Sequence, residues 1–294
     1  MINNEPVHFS LKYLPLLIRL RCCEPARLPG YLGSTLHGIL GWALLNHKEA
    51  YRYIYENRKM AEGGYDIPNP YIINPPGYRE QYNKGDELRF QVILLGDALR
   101  YAEQLINALI TAGSFTIGAE RKRFQLEEIM QYDQLQSIWK PGLYAPEAIK
   151  AEVLSGHRTE GCTNCSIQLL TPLRIRRSGS LLTELDFITI FRSISRRITE
   201  LTARYGGYVN EQEIAWLMEA AQHIQKTSSG LYVKNMERYS TRRDKKMDLS
   251  GLLGAMTFQG ELAPFTPWLN AACILHLGRN TTLGCGKIDA VIMN

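Results

Sequence analysis

The chain has 294 residues, 45% of them hydrophobic, and 34 Lys and Arg against 29 Asp and Glu, for a net charge of +5. That is enough apolar material for one large or two ordinary cores. No apolar run reaches the length of a membrane span, the first nine residues lack the basic region and apolar core of a leader, and six cysteines at 22, 23, 162, 165, 273 and 285 do not space out like a secreted disulfide framework. These features set aside a membrane partner and a secreted scaffold, and a cytoplasmic protein is expected. The basic excess is uneven: residues 171–206 hold seven Arg against three acidic residues, and 231–246 hold six Lys and Arg against two. Charge gathered in this way favours a polyanionic partner over a neutral metabolite.

In chain order, Tyr13 to Cys22 alternates weakly and reads as a half-buried strand. Ser34 or Thr35 caps a helix whose inward face is Leu36, Ile39, Leu40, Ala43, Leu44 and His47. Residues 63–84 carry four prolines and three glycines and read as a long irregular connection. Glu87 to Leu95 is a strand, Ala98 to Thr111 a helix, and Phe124 to Met130 a closing strand. Pro141-Gly142, Pro146 and Ser155-Gly156 then interrupt the pattern. The expected domains are 1–140 and 166–294, with 141–165 as the linker.

The second half repeats the order. Ile167 to Arg176 is a strand and Glu184 to Tyr205 a helix, with Phe187, Phe191, Ile194, Ile198 and Leu201 in one stripe and Gly206-Gly207 at its end. Gly230 to Arg243 and Leu249 to Gly260 read as a hairpin around Asp244 to Asp248, Pro264 to Leu275 as a helix, and Lys287 to Met293 as the last strand. Each half is thus a β-α-β-β-α-β unit, and the fold class is α+β with two tandem ferredoxin-like domains. Cys162-Thr163-Asn164-Cys165 has zinc-knuckle spacing near His157, but a fourth ligand cannot be placed, and no metal or cofactor is expected.

Motifs narrow the function. Gly278-Arg279-Asn280-Thr281-Thr282-Leu283-Gly284-Cys285-Gly286-Lys287 is a glycine loop in which backbone amides could approach phosphates, supported by Arg279, Thr281, Thr282 and Lys287. Just upstream, Leu231 to Lys246 interleaves Tyr232 and Tyr239 with six cations, a composition suited to following an RNA backbone and stacking bases. A solvated hairpin is the plainer reading of that tract. Before the tract stand Thr171-Pro172-Leu173-Arg174-Ile175-Arg176-Arg177 and a helix bearing Arg196-Arg197, and between the tract and the glycine loop come Leu249-Ser250-Gly251 and the strand Ala255 to Gly260. Leu28-Pro29-Gly30-Tyr31-Leu32-Gly33-Ser34-Thr35-Leu36-His37-Gly38 opens the first helix, and Gly85-Asp86 precedes the strand ending Leu95-Gly96. This series resembles the CRISPR repeat-processing endoribonucleases of the RAMP superfamily over most of the chain.

The resemblance implies an RNA nuclease that needs no metal. A base helps a 2′-hydroxyl attack the adjacent phosphate, a cyclic phosphate forms, and an acid protonates the departing 5′-oxygen. Histidine suits either proton role near neutral pH. In the resembled family the catalytic histidine lies at or just beyond the end of the first helix, the place that His47 holds here. Lys48, Arg52, Arg58 and Lys59 follow with Tyr51, Tyr53 and Tyr55 between them, as phosphate clamps and base platforms. A helix-end histidine satisfied by a carbonyl is the structural alternative. His37, among Gly33, Gly38 and Gly41, is the second candidate, with helix packing as its rival reading. Tyr31 and Lys48 are candidates for orienting the hydroxyl and stabilising charge. His276 reads as a half-buried strand residue, and His8, His157 and His223 as surface residues.

The RNA-binding residues expected are Arg52, Arg174, Arg176, Arg192, Arg196, Lys234, Arg238, Tyr239, Arg242, Arg243, Lys245, Gly278, Arg279, Thr281, Thr282, Gly284, Gly286 and Lys287. Arg192 and Arg196, one helical turn apart, are expected to share the RNA side, with Arg197 and Arg204 facing solvent or the other domain. The implied partners are CRISPR repeat RNA, its crRNA product and other Cas effector subunits. A non-catalytic RAMP subunit that only binds RNA is the alternative. An acyl-transfer or metabolite enzyme using the glycine loop would instead require a compact apolar pocket.

Overall fold

The computed structural model describes residues 8–57, 67–156, 158–240 and 245–293. Two compact units emerge: one runs from residue 12 to 153 and includes 282–284, and the other holds 154–281 and 285–294 together with the start of the chain through Leu11. The division falls at Val153 and Leu154.

In the N-terminal unit, β1 (Phe9–Cys22), β2 (Tyr71–Asn74), β3 (Glu87–Leu95) and β4 (Lys122–Gln131) lie side by side in the order β2-β3-β1-β4, every neighbour antiparallel. Helix α1 (Gly33–Leu44) connects β1 to β2, and α2 (Ala102–Ala112) connects β3 to β4. Leu14, Leu16, Ile18, Leu20 and Cys22 alternate inward along β1, as a strand covered on one face requires, while Arg19 and Arg21 point to the other face. There Arg19 pairs with Glu87 and Glu128, and Arg21 with Glu127. Leu36, Ile39, Leu40, Ala43 and Leu44 of α1 and Leu105, Ile106 and Leu109 of α2 cover the apolar face.

The C-terminal unit has the same plan. Its strands β5 (Asn164–Leu173), β6 (Gln225–Ser229), β7 (Gly251–Gln259) and β8 (Ile288–Met293) order as β6-β7-β5-β8, again antiparallel. The crossovers are α3 (Phe187–Tyr205), followed by α4 (Glu211–Ala220), and then α5 (Thr266–Leu275). Phe187, Phe191, Phe258, Phe265 and Trp268 meet edge to face with centroids 4.9–5.5 Å apart, the geometry that ring quadrupoles favour. Two ferredoxin-like units in tandem are therefore the architecture, as the sequence pattern implied.

Several boundaries differ from expectation for identifiable reasons. The second strand of the first unit, Tyr71–Asn74, lies within the stretch read as irregular: all four residues are buried, and a four-residue strand between prolines leaves no period to read. In the second unit the edge strand is Gln225–Ser229, exposed along its whole length and so without an apolar pattern. Tyr232–Lys234 also pairs with β7, and Glu237–Ser240 pairs with Lys245–Asp248, so residues 245–248, expected in the connection of the hairpin, form a strand instead. Helix α3 starts at Phe187 because the Asp186 side chain accepts from the Thr189 amide at 2.9 Å. Helix α4 went unread, since only Leu217 in it is buried. The signal available was the pair Asn210 and Glu213, spaced as a capping box, and Asn210 does accept from the Glu213 amide at 3.1 Å.

Candidate active site and nucleic-acid interface

Helix α1 ends in a tightly folded turn. Leu45 keeps helical angles, but His47 departs from them (φ −104°, ψ 70°), with its amide on the Leu44 carbonyl and its carbonyl taking the Tyr51 amide, both at 2.8 Å. His47 thereby starts the short helix Lys48–Ala50, which runs into a wide π-type turn over Tyr51–Tyr55. Its ring is half-buried, and the Lys48 and Arg52 side chains are exposed. The result is an imidazole on one turn with two exposed cations.

The tyrosines of this turn do not stand out as free platforms. Tyr51 stacks on Tyr55 at 5.2 Å and Tyr55 on His37 at 4.6 Å, while Arg100 lies over the rings of Tyr53 and Tyr101. His37 is also tied down, its Nδ1 2.7 Å from the hydroxyl of Tyr71, a fully buried phenol whose pKa burial drives well above the ordinary value. Of the three glycines around His37, two have their side-chain space filled. A side chain at Gly33 would strike the Leu283 carbonyl, and one at Gly41 would strike the Tyr55 ring, whereas one at Gly38 would meet nothing within 4 Å. Tyr31 donates its hydroxyl to the Leu283 carbonyl at 2.6 Å. Leu283 belongs to the same compact unit, as do Thr282, half-buried, and Gly284, where a side chain would collide with the Pro75 ring.

In the C-terminal unit the glycine loop proves to be woven into the fold. The amide of Gly278 donates to Ser193 Oγ (3.2 Å), Arg279 to the Arg174 carbonyl (2.9 Å), Cys285 to the Asn280 carbonyl (3.2 Å), Gly286 to the Pro172 carbonyl (3.0 Å) and Lys287 to Thr171 Oγ1 (2.8 Å). Those amides are thus taken up internally, which corrects the expectation of an open phosphate cradle. Gly278 and Gly286 are required because both adopt positive φ and pass so close to the Arg174 and Leu277 carbonyls that a Cβ would collide. Arg279 carries the exposed charge of the loop.

Two buried groups hold this loop. Arg197, expected at the surface, is 7% exposed, and its guanidinium donates to the Leu275 carbonyl (2.7 Å) and to Thr281 Oγ1 (2.9 Å). Burial lowers its pKa to about 10. The helical stripe of α3 placed it inward, one turn after Ser193, which also touches the loop. His276 is fully buried rather than half-buried, with its Nδ1 donating to the Cys285 carbonyl at 3.1 Å, and burial pulls its pKa down to about 3, so it is neutral. Its backbone (φ 59°, ψ 166°) occupies a region that glycine nearly monopolises.

The remaining basic residues divide in the same way. Arg174 is 4% exposed, bonded to the Ser250 carbonyl and to Asp248 (3.2 Å), and Arg176, exposed, shares Asp248 (3.3 Å). Burial opposes the charge on Asp248, but bonds from Ser250 and Arg174 outweigh it and hold the carboxyl below its ordinary value. Arg174 thus serves as a brace under the strand rather than as an exposed contact. Arg192, Arg196 and Lys234 are exposed, with Arg196 bonded to Glu200 at 2.7 Å. The Lys287 ammonium is half-buried, and burial lowers its pKa. The backbones of Arg238, Tyr239 and Lys245 lie in the hairpin, while Arg242, Arg243, Arg58, Lys59 and His157 fall outside the described residues. His223 is exposed, but His8 is buried against Glu213.

Among the described residues no three His, Cys, Asp or Glu side chains gather as a metal-ligand set, and no helix is long and apolar enough to cross a membrane. Cys162 and Cys165 are both buried, and burial pushes the Cys165 thiol up to about 12.

Against known proteins, residues 11–153 match a family model described as an N-terminal domain, and residues 167–288 match that of the CRISPR-associated endoribonuclease Cas6. Over residues 167–288 the chain is thus similar to the Cas6 endoribonucleases. No curated protein matches it in sequence. Solved Cas6 structures share the fold. A chain of a partial Cas6-RT-Cas1–Cas2 complex is similar at TM-score 0.63 with 18% identity, over 98% of this chain and 47% of that one. The present chain therefore spans about half the length of that relative. A Cas6 product complex aligns over 95% of this chain and 99% of its own at TM-score 0.56 and 20% identity, and Thermus thermophilus Cas6 over 95% and 99% at 0.56 and 15%.

Proposed function

We propose that this chain binds CRISPR repeat RNA and cuts precursor crRNA without metal, using His47 as the proton-transfer group. The single observation that carries the reading is the turn after α1 in a chain whose C-terminal domain matches Cas6: a half-buried imidazole at a helix end, with Lys48 and Arg52 exposed on the same turn. In the proposed reaction the 2′-oxygen loses its proton and attacks the adjacent phosphorus, and the bond from phosphorus to the 5′-oxygen breaks. The products are a 2′,3′-cyclic phosphate and a 5′-hydroxyl. Lys48 and Arg52 face the added negative charge of the phosphorane. Tyr31, with its hydroxyl on the Leu283 carbonyl, serves to orient the start of α1. His37, stacked on Tyr55, is assigned to packing.

The N-terminal domain (1–140) supplies the chemistry in this reading, and the C-terminal domain (166–294) holds RNA through Arg176, Arg192, Arg196, Lys234, Arg279 and the basic hairpin. The relative solved within a Cas6-RT-Cas1–Cas2 complex supports association with other Cas proteins, in the prokaryotic cytoplasm where the transcript is made.

The test is to incubate excess protein in EDTA with labelled repeat RNA from the source genome. Cleavage at one bond, ending in a cyclic phosphate, is expected. His47→Ala should slow it by about 10²–10⁴-fold with RNA affinity retained, and His37→Ala should not do so without unfolding the protein. Tight binding of RNA that stays intact would replace the nuclease with a non-catalytic RNA-binding subunit.

A further inference from the structure

One helix face near the proposed active site is left without a protein covering. Gly38, Trp42 and Leu45 stand at helical spacings of four and three, so they form one stripe along α1. Trp42 is 58% exposed and Leu45 53% exposed, although both are large apolar side chains. The Trp42 ring is not loose: it packs edge-on against Phe115, with centroids 6.3 Å apart and planes at 82°, and Phe115 is itself buried. Beside it the space over Gly38 is open. An exposed aromatic ring, backed by Phe115 and next to open space over Gly38, is therefore presented to solvent.

The stripe leads directly into the catalytic turn. Trp42 stands in the last turn of α1, and His47 follows in the non-helical turn that ends it. Lys48 and Arg52, both exposed, follow on the same turn and suit a phosphate backbone. A protein partner fits less well. A stable protein interface needs about 800 Å² on each side, and a Trp side chain buries at most about 250 Å², so this stripe is too narrow for one. A nucleobase matches both the size and the flanking charge, since aromatic side chains bind single-stranded RNA by stacking on its bases.

We propose that Trp42 is the stacking platform for one unpaired nucleobase beside the bond to be cut, and that Gly38 leaves the room this base occupies. The proposal rests on the nuclease reading of the His47 turn. It deepens that reading by assigning single-stranded RNA at the cleavage point and a residue that selects it.

The full-length chain is compared with Trp42→Ala, Trp42→Phe and Gly38→Leu in binding and single-turnover cleavage. The substrates are intact repeat RNA and versions with one abasic site at each of three nucleotides on either side of the cut. Trp42→Ala is expected to lose about 10-fold in kcat/KM, and Trp42→Phe, which keeps a stacking ring, to stay within about threefold of wild type. Gly38→Leu removes no core contact and should lose about as much as Trp42→Ala by filling the open space beside the ring. The distinguishing readout is non-additivity: one abasic position should be costly for wild type and cost nothing further in Trp42→Ala. Equal abasic penalties in both proteins, or unchanged cleavage by both Trp42→Ala and Gly38→Leu, would overturn the proposal. So would loss of a co-purifying Cas protein by Trp42→Ala with cleavage intact, which would assign the stripe to that protein instead. Wild type that neither binds nor cuts the repeat would sink the nuclease reading itself, together with this one.

Discussion

The first crossover helix of each unit occupies the same place in the same topology, yet the two are built to opposite ends. Helix α3 has 19 residues, an Asp186 cap, an unbroken apolar stripe and a buried arginine reaching into the loop beyond it. Helix α1 has 12 residues, no side-chain cap, three glycines and an exposed tryptophan, and it ends in a histidine turn. One is arranged for stability. The other gives up helix propensity and burial where a substrate would lie, which is the usual relation between a scaffold and the site it carries.

That contrast can be broken by measurement. The largest effect expected is in acid, at the loop that α3 helps to hold. His276 has a folded pKa of about 3 against an ordinary 6.5. The unfolded chain therefore binds the extra proton first, so the stability that depends on a neutral His276 is intact above about pH 6.5 and lost as pH falls toward 3. The total is on the order of 4 kcal/mol. Urea titrations between pH 7 and 4 should show this slope, and His276→Asn, which has no group that titrates in this range, should flatten it. Next, Arg197→Met orphans the Leu275 carbonyl and the Thr281 hydroxyl, and relief of a buried charge offsets part of the loss. A net destabilisation of about 2–3 kcal/mol is expected from the urea midpoint. Unchanged stability would show that the clamp is dispensable.

Smaller effects sharpen the same comparison. Asp186→Ala should destabilise the protein by about 1 kcal/mol through loss of the α3 cap. Gly38→Ala, at a helical position where a methyl group meets open space, should stabilise it by about 0.8 kcal/mol. A thermal melt that shows no gain at Gly38 would mean that α1 is not giving up stability there, and the contrast between the helices would weaken.

Much of this was legible in the residues. The stripes of α1 and α3 follow helical spacing, β3 was bounded as found, and the order of motifs named the family. What escaped notice shares a physical cause: the signal lay outside the segment itself. Tyr71–Asn74 is too short to show a period, and Gln225–Ser229 is an edge strand with no buried face. Arg197 looked like a surface cation beside Arg196, although it sits within a heptad of buried neighbours, Ile194, Ile198 and Leu201, which might have been weighed against its charge. The glycines at 278, 284 and 286 advertised an open loop. Only the third dimension shows that the Arg174 and Leu277 carbonyls and the Pro75 ring occupy the space their missing side chains leave.

The internal bonding of the glycine loop also bears on when this molecule becomes competent. Its amides find partners at Thr171, Pro172 and Arg174, more than a hundred residues earlier in the chain. Contacts of such long range close late, because the entropy of a large loop must be overcome before they return any energy. The segment that presents Arg279 therefore takes shape only when its domain is nearly complete, and a half-folded chain emerging from the ribosome would hold RNA poorly, even with most of its positive charge already in place.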